Sequence, residues 1–486
     1  MKSETIMRAT YPLWMFIGAI TVASLLVGCD SVLDLEAQGT LTSQSFYQTE
    51  DDALAALTAA YNPLHNIGTY QNNVWMIGDM MSNDATAPSG ASGAYPYLLD
   101  AMNFTLTASN QAAAERWESN YEGIYRANIV LQRIPESSID ESLKQRILGE
   151  ARFLRGLYYF NLVKAFGGVP LITEPLEMSE LQTPREDASQ VYDQIVQDLQ
   201  EAANFLPVEY SSSEVGRATR GAAKSLLGKV YLYRENWQDA ATVLQEVVDS
   251  GTYGLLENYE DVFTLEHENG KESIFSVQFA ATPGDGTHQL RLWLPEPTNA
   301  LGSPAHGVLI PTEDLANAFE EGDPRKDATI LSEGSTPFGV EYNPGWSETG
   351  YNARKYLVPQ EVLVASTSDS PLNYIVIRYS EVLLMLAEAL NEQGRPVDAQ
   401  TYLNQVRKRA DMPPVSGLGQ SAMREAIRHE RRVELALEGE RFFDLVRWGI
   451  APEELEDFER GKHERLPIPQ SEMDVNPELT QNPGYN

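Results

Sequence analysis

Two stretches far apart in this chain share a residue spacing that few folds can satisfy. Leu227, Gly228, Tyr231, Ala240, Leu244 and Val247 alternate large and small side chains as two amphipathic helices would, with Glu235-Asn236 at the turn between them. Leu386, Ala387, Leu390, Ala399, Leu403 and Val406 repeat the order, with Gly394-Arg395-Pro396 near the turn. Small residues at Gly228 and Ala240 let two helix backbones approach closely.

That order is the pattern of the tetratricopeptide repeat, and the same residues also suit two ordinary antiparallel helical hairpins. Other segments read as helix as well. Asp51 to Tyr61 is rich in helix formers and has an acidic start that suits the macrodipole. Trp117, Tyr121, Ile124, Tyr125, Asn128 and Leu131 form one stripe at three- and four-residue steps, and Phe153, Leu157, Phe160 and Val163 share a face of a helix over Leu148 to Phe166, stopped by Gly167-Gly168-Val169-Pro170. Ala188 to Phe205 adds another, ended by Leu206-Pro207. The expected fold is mostly α, a helical scaffold over about 45–65, 112–250 and 376–450 packed against loop-rich segments at about 66–111 and 251–375. Turn signals such as Pro283-Gly284-Asp285-Gly286 and Asn343-Pro344-Gly345 punctuate the longer loop segment, with short strands expected at Ser273–Phe279 and Tyr374–Arg378. Long ordered loops on a rigid scaffold are where binding usually sits.

The N-terminus limits where such a protein works. Lys2 and Arg8 precede an uncharged run from Ala9 that ends Leu26-Val27-Gly28-Cys29, and Cys29 is the only cysteine among 486 residues. A lone thiol forms no internal disulfide, so the run reads as a signal peptide over 1–28 and Cys29 as the acylated first residue of a mature domain, 29–486. A retained membrane helix is the competing reading of the same run. With 36 basic and 70 acidic side chains the formal charge is −34, which repels phosphate backbones and makes nucleic acid an unsuitable partner. Asp30, Asp34 and Glu36 follow the cysteine directly, an acidic stretch that stands off an anionic leaflet.

Several blocks in order resemble the SusD/RagB family. They begin with Phe46 to Ala53 and Ala60-Tyr61, then Glu150-Ala151-Arg152-Phe153-Leu154-Arg155-Gly156-Leu157-Tyr158-Tyr159-Phe160 with Phe166 to Leu171. Pro311 to Leu315, Phe319 and Asp323-Pro324-Arg325 follow, then Glu430 to Trp448, Leu466-Pro467-Ile468-Pro469 and Asn476 to Tyr485. The resemblance implies helical hairpins against an irregular half, a cell-outer-membrane lipoprotein facing the exterior, and a SusC-like TonB-dependent barrel as partner. Its ligand would be an oligosaccharide or polysaccharide, with a peptide or other nutrient as the alternative. It also implies a ligand-facing role for Asp84 in Ser82-Asn83-Asp84. The charged residues between Glu430 and Arg441 sit at helical spacings that allow ion pairs, and read as scaffold.

Catalytic signatures are missing from the sequence. The six histidines, His65, His267, His288, His306, His429 and His463, show no close metal-ligand spacing, and there is neither a phosphate-binding loop ending in Lys-Ser/Thr nor a Gly-x-Ser-x-Gly elbow. The expectation is a binding protein without catalysis, cofactor or metal. Glycoside hydrolysis depends on carboxylates ~5–10 Å apart in space, so a surface hydrolase stays open at this level, as does a helical-repeat interaction scaffold. Sugar binding needs flat rings beside amides, carboxylates or arginines. The loop segments supply such mixtures: Trp75, Asn83, Asp84, Tyr95 and Tyr97 in the first, His288, Arg291, Trp293, Tyr342 and Trp346 in the second. From these, Asn83, Asp84, Tyr95, Tyr97, Arg291, Trp293 and Trp346 are the candidate ligand contacts, whereas Trp117, Trp237 and Trp448 sit in helical stripes and read as core.

Overall fold

Residue placement in the computed structural model of this chain is described for 47, 49–89, 95–177, 180–282, 284–287, 307–363 and 369–485. Cys29, Arg291 and Trp293, and the leader before Cys29, lie outside the described residues. Helix α1 (Glu50–Tyr61) starts where Thr49 and Asp52 cap each other's backbone N–H groups at 3.1 and 3.3 Å, a reciprocal cap that contributes about 1 kcal/mol. A short helix α2 (Pro96–Met102) interrupts the first loop segment. Asn110 then caps α3 (Gln111–Arg133), and Asp140 caps α4 (Glu141–Phe166). The stripe on α3 buries Trp117, Ile124 and Asn128, but Tyr125 is 57% exposed. It follows Ile124 by one residue, which turns it about 100° away from the buried face.

Helix α4 begins earlier than its apolar pattern suggests and is buried on all sides from Phe153 to Val163, as the central helix of a stack must be. Two of its family-block residues explain themselves here. The buried Glu150 carboxylate accepts from Tyr61 Oη (2.8 Å) and Arg217 Nη1 (3.1 Å), and Arg155 grips Asp198 of α5 (Ala188–Phe205) through Nε and Nη2 at 2.8 and 2.6 Å.

The two repeat units are helical hairpins, α6 (Arg220–Tyr233) with α7 (Trp237–Asp249), and α8 (Tyr379–Glu392) with α9 (Pro396–Arg409). Their turns are closed by the same bond, Asn236 N–H to Tyr231 O and Arg395 N–H to Leu390 O, with Glu235 and Gly394 both at positive φ. A Cβ on Gly228 would lie 2.4 Å from Leu244, which is why that position is small. Although more than a hundred residues separate them in sequence, α7 packs on α8, so the hairpins adjoin; Tyr402 Oη donates to Gln245 across the seam at 2.6 Å. Helix α10 (Gln420–Glu434) covers α8 and α9, and α11 (Arg441–Arg447) follows it.

Among the described residues the loop-rich half carries three small antiparallel sheets. Strands β1 (Ala85–Thr86) and β3 (Ile310–Pro311) pair across the two loop segments; β2 (Ser273–Val277) pairs with β6 (Tyr374–Arg378), and β4 (Ile330–Leu331) with β5 (Asn352–Ala353). The protein is therefore mostly α, with the few short strands confined to the loops.

Candidate functional site

The block Glu430–Arg447 holds the loop-rich half onto the helices. Arg325 is fully buried and bonds Asp323, Glu430 (2.6 Å) and Glu434 (3.0 Å); Arg378 bonds Glu434 (2.5 Å) and Glu438 (2.8 Å), and Lys355 reaches Glu438 at 2.7 Å. Arg409 of α9 also pairs with Glu434. Burial alone would raise the Glu434 pKa, but Arg409, Arg378 and Arg325 outweigh it and hold the carboxyl well below the usual range.

The same block anchors the first loop segment. Asp79, on a π-helical turn at Met76–Met80, accepts the Gly439 N–H at 3.0 Å, while burial followed by the nearby Asp84 pushes its pKa well up. Asp84 is fully buried and pairs with Arg432 at 2.7 Å; Asn83 donates to Asp314 (2.8 Å) and accepts from Arg441 (3.2 Å). The expected ligand-facing role of Asp84 is thus corrected. A carboxylate this enclosed, beside a guanidinium, serves to position the loop rather than to meet solute. Asn83 is part-buried and engaged in the same way.

Beyond these anchors the loops form a face. The Thr86 hydroxyl meets Met102 Sδ of α2 at 3.1 Å, Ser89 donates through its N–H (3.0 Å) and Oγ (2.6 Å) to Glu348, and Thr349 Oγ1 donates to Pro311 O at 2.9 Å. These contacts bring α2, the β1–β3 pair and the loop around Trp346 together, although they lie far apart in sequence. Tyr95 and Tyr97 are half-buried, edge to face at 6.3 Å. Burial, then Glu115 and Tyr95, push the Tyr97 phenol up to about 12. Trp346 is half-buried and stands edge-on to Tyr342 at 5.4 Å and 89°. Tyr342 itself is buried and bonds Asn352 through its hydroxyl (2.7 Å), so it orients the tryptophan. Trp75 is core.

Sequence reading missed Phe338, which is 52% exposed on the same loop with φ +52°; the Pro337-Phe338-Gly339 turn around it was the available signal. It also misplaced Trp237 and Trp448, which are half-buried rather than core. Among the described residues no group of three or more His, Cys, Asp or Glu side chains is placed to hold a metal ion.

Fold and face together define a class: helical-repeat proteins with a loop face inserted between two repeats and clipped down by buried ion pairs. Family comparison agrees. A model of the SusD family matches residues 309–465, and one described as starch-binding associating with outer membrane matches 42–232. A laminarin-binding SusD-like protein of known structure is 37% identical, with TM-score 0.81 over 90% of this chain and 100% of its own. SusD-like protein P25 of Formosa agariphila is 29% identical over 94% of this chain and 96% of its own. The surface glycan-binding protein A from Bacteroides uniformis is 26% identical, with TM-score 0.79 over 89% of this chain and 99% of its own. The chain belongs to the SusD family.

Proposed function

We propose that this chain is a cell-surface glycan-binding subunit that captures oligosaccharide without transforming it and delivers it to a SusC-like TonB-dependent barrel in the outer membrane. The observation that carries the reading is its 37% identity, over nine-tenths of its length, to a structure named for binding laminarin. In this reading residues 1–28 are removed, Cys29 carries the acyl chains, and 29–486 is a single domain facing the exterior. Each buried acyl CH₂ contributes about 0.8 kcal/mol, so anchoring needs no apolar protein surface.

Ligand contact is assigned to Tyr95, Tyr97 and Trp346, with Arg291 and Trp293 from the longer loop segment and Phe338 added by its exposure. Half-buried rings held edge-on by neighbours present flat faces at little entropic cost, and each stacking ring is worth about 0.5–1.5 kcal/mol beyond its buried area. The test is incubation of the purified protein with laminarihexaose, maltohexaose, cellohexaose and mannohexaose. Saturable retention without new reducing ends supports capture, with Trp346→Ala weakening it roughly 5- to 10-fold. Release of shorter products would replace this reading with the hydrolase.

A further inference from the structure

Of the five described tryptophans, Trp75 and Trp117 are buried and Trp237, Trp346 and Trp448 are not. Trp346 belongs to the loop face. Trp237 and Trp448 line one cleft of about 240 Å³ in the helical stack, where the start of α7 and the turn before it meet α8, α10 and the end of α11.

The walls of this cleft are held in fixed pairs. Glu388 of α8 accepts from Arg447 Nη1 and Nη2 at 2.6 and 2.8 Å and from the Trp448 indole N–H at 2.8 Å. One turn along, Glu392 accepts from Arg424 Nε and Nη2 at 2.8 and 2.6 Å. The Arg428 guanidinium lies 5.1 Å from the centre of the Trp448 ring, and its Nε is enclosed with no hydrogen-bond partner. No ring or cation of the described residues stacks on Trp237. Glu235, exposed in the turn before it, faces the same space and pairs with no described cation.

Three glutamates and three arginines balance one another here, in a chain whose net charge is −34. A balanced cleft gives an ionic ligand no advantage. It does offer what an uncharged sugar ring needs, an indole face beside preorganised acceptors and donors with lone pairs and N–H groups to spare. Its volume lies below the ~300 Å³ lower end of pockets for larger ligands, which matches one ring rather than an oligomer.

We propose that the Trp237–Trp448 cleft is a second glycan subsite, on the helical stack and separate from the loop face, that takes one neutral hexopyranose unit. The inference rests on the glycan-binding reading above. Arg428 Nη2, which bonds no described group, would donate to a sugar hydroxyl and Trp237 would cover the apolar face of the ring.

The test uses the full-length protein in detergent with ¹⁵N-labelled tryptophan, titrated with D-glucose, D-galactose, D-mannose and laminarihexaose and followed by indole N–H shifts. The expected result is a saturable shift at Trp237 with at least one sugar, weakened 5- to 10-fold by Arg428→Gln and unchanged by Trp346→Ala. Sugar retention at this cleft should fall similarly in Trp237→Ala and return in Trp237→Tyr, with melting temperature recorded for each variant. Sugar shifts confined to Trp346, and indifferent to Trp237→Ala, would overturn the second subsite and leave the loop face standing. Shifts at Trp237 with Trp346 silent would do the reverse. Silence of every indole would overturn both. A Trp237 shift produced by an arginine-containing peptide and by none of the sugars would make the cleft a peptide site and overturn the proposal.

Discussion

Replacing Glu434 by glutamine removes one negative charge from among Arg325, Arg378 and Arg409 while keeping the side chain's shape. Removing one partner of a buried ion pair costs about 3–5 kcal/mol. Glu272, Glu430 and Glu438 remain beside the same guanidiniums, so the lower end, about 3 kcal/mol, is expected. Unfolding entropy of about 2.1 cal/mol/K per residue, summed over Tyr47–Asn486, comes to roughly 0.9 kcal/mol/K. The variant should therefore melt about 3 °C lower at neutral pH. Because the folded pKa of Glu434 is depressed, its stabilisation is complete above the unfolded value of about 4.3 and fades as pH falls towards the folded one. The gap between the two proteins should then narrow below about pH 4. Scanning calorimetry from pH 7 to 3 measures both effects. Equal melting temperatures at pH 7, or a gap that does not change with pH, would refute the argument that this cluster clamps the halves together.

Gly228→Ala should cost about 1–3 kcal/mol by forcing Leu244 away from α6, and an unshifted urea midpoint would show that the hairpin gives at no cost. Asp84→Ala leaves Arg432 paired only with the exposed Asp314; it should lower stability by about 1–3 kcal/mol, seen as faster proteolysis of the 82–89 loop, and unchanged cleavage would count against the anchor. Cys29→Ala should leave the protein unanchored, and continued incorporation of labelled palmitate would rule out that residue as the lipid site.

Residue pattern alone placed the hairpin helices and both of their turns, whereas α2 fell inside a segment that the pattern assigned to loop. Apolar period, Gly/Pro stop signals and the small residue at Gly228 are all written within one helix or one hairpin, which is why they were legible there. The strand pair Ser273–Val277 with Tyr374–Arg378 was half visible, since each apolar run could be read but not its partner. What the charged block is for emerges from long-range packing alone. Asp84 and Arg432 are 348 residues apart, and no local pattern says whether a carboxylate will meet solute or a buried guanidinium. The same holds for tryptophans on helical stripes. A stripe tells which face turns inward, but Trp237 opens α7 and Trp448 closes α11, and both rings border a cleft between helices that leaves them partly open. Exposure there depends on how closely other helices approach, a property of packing that no single segment carries.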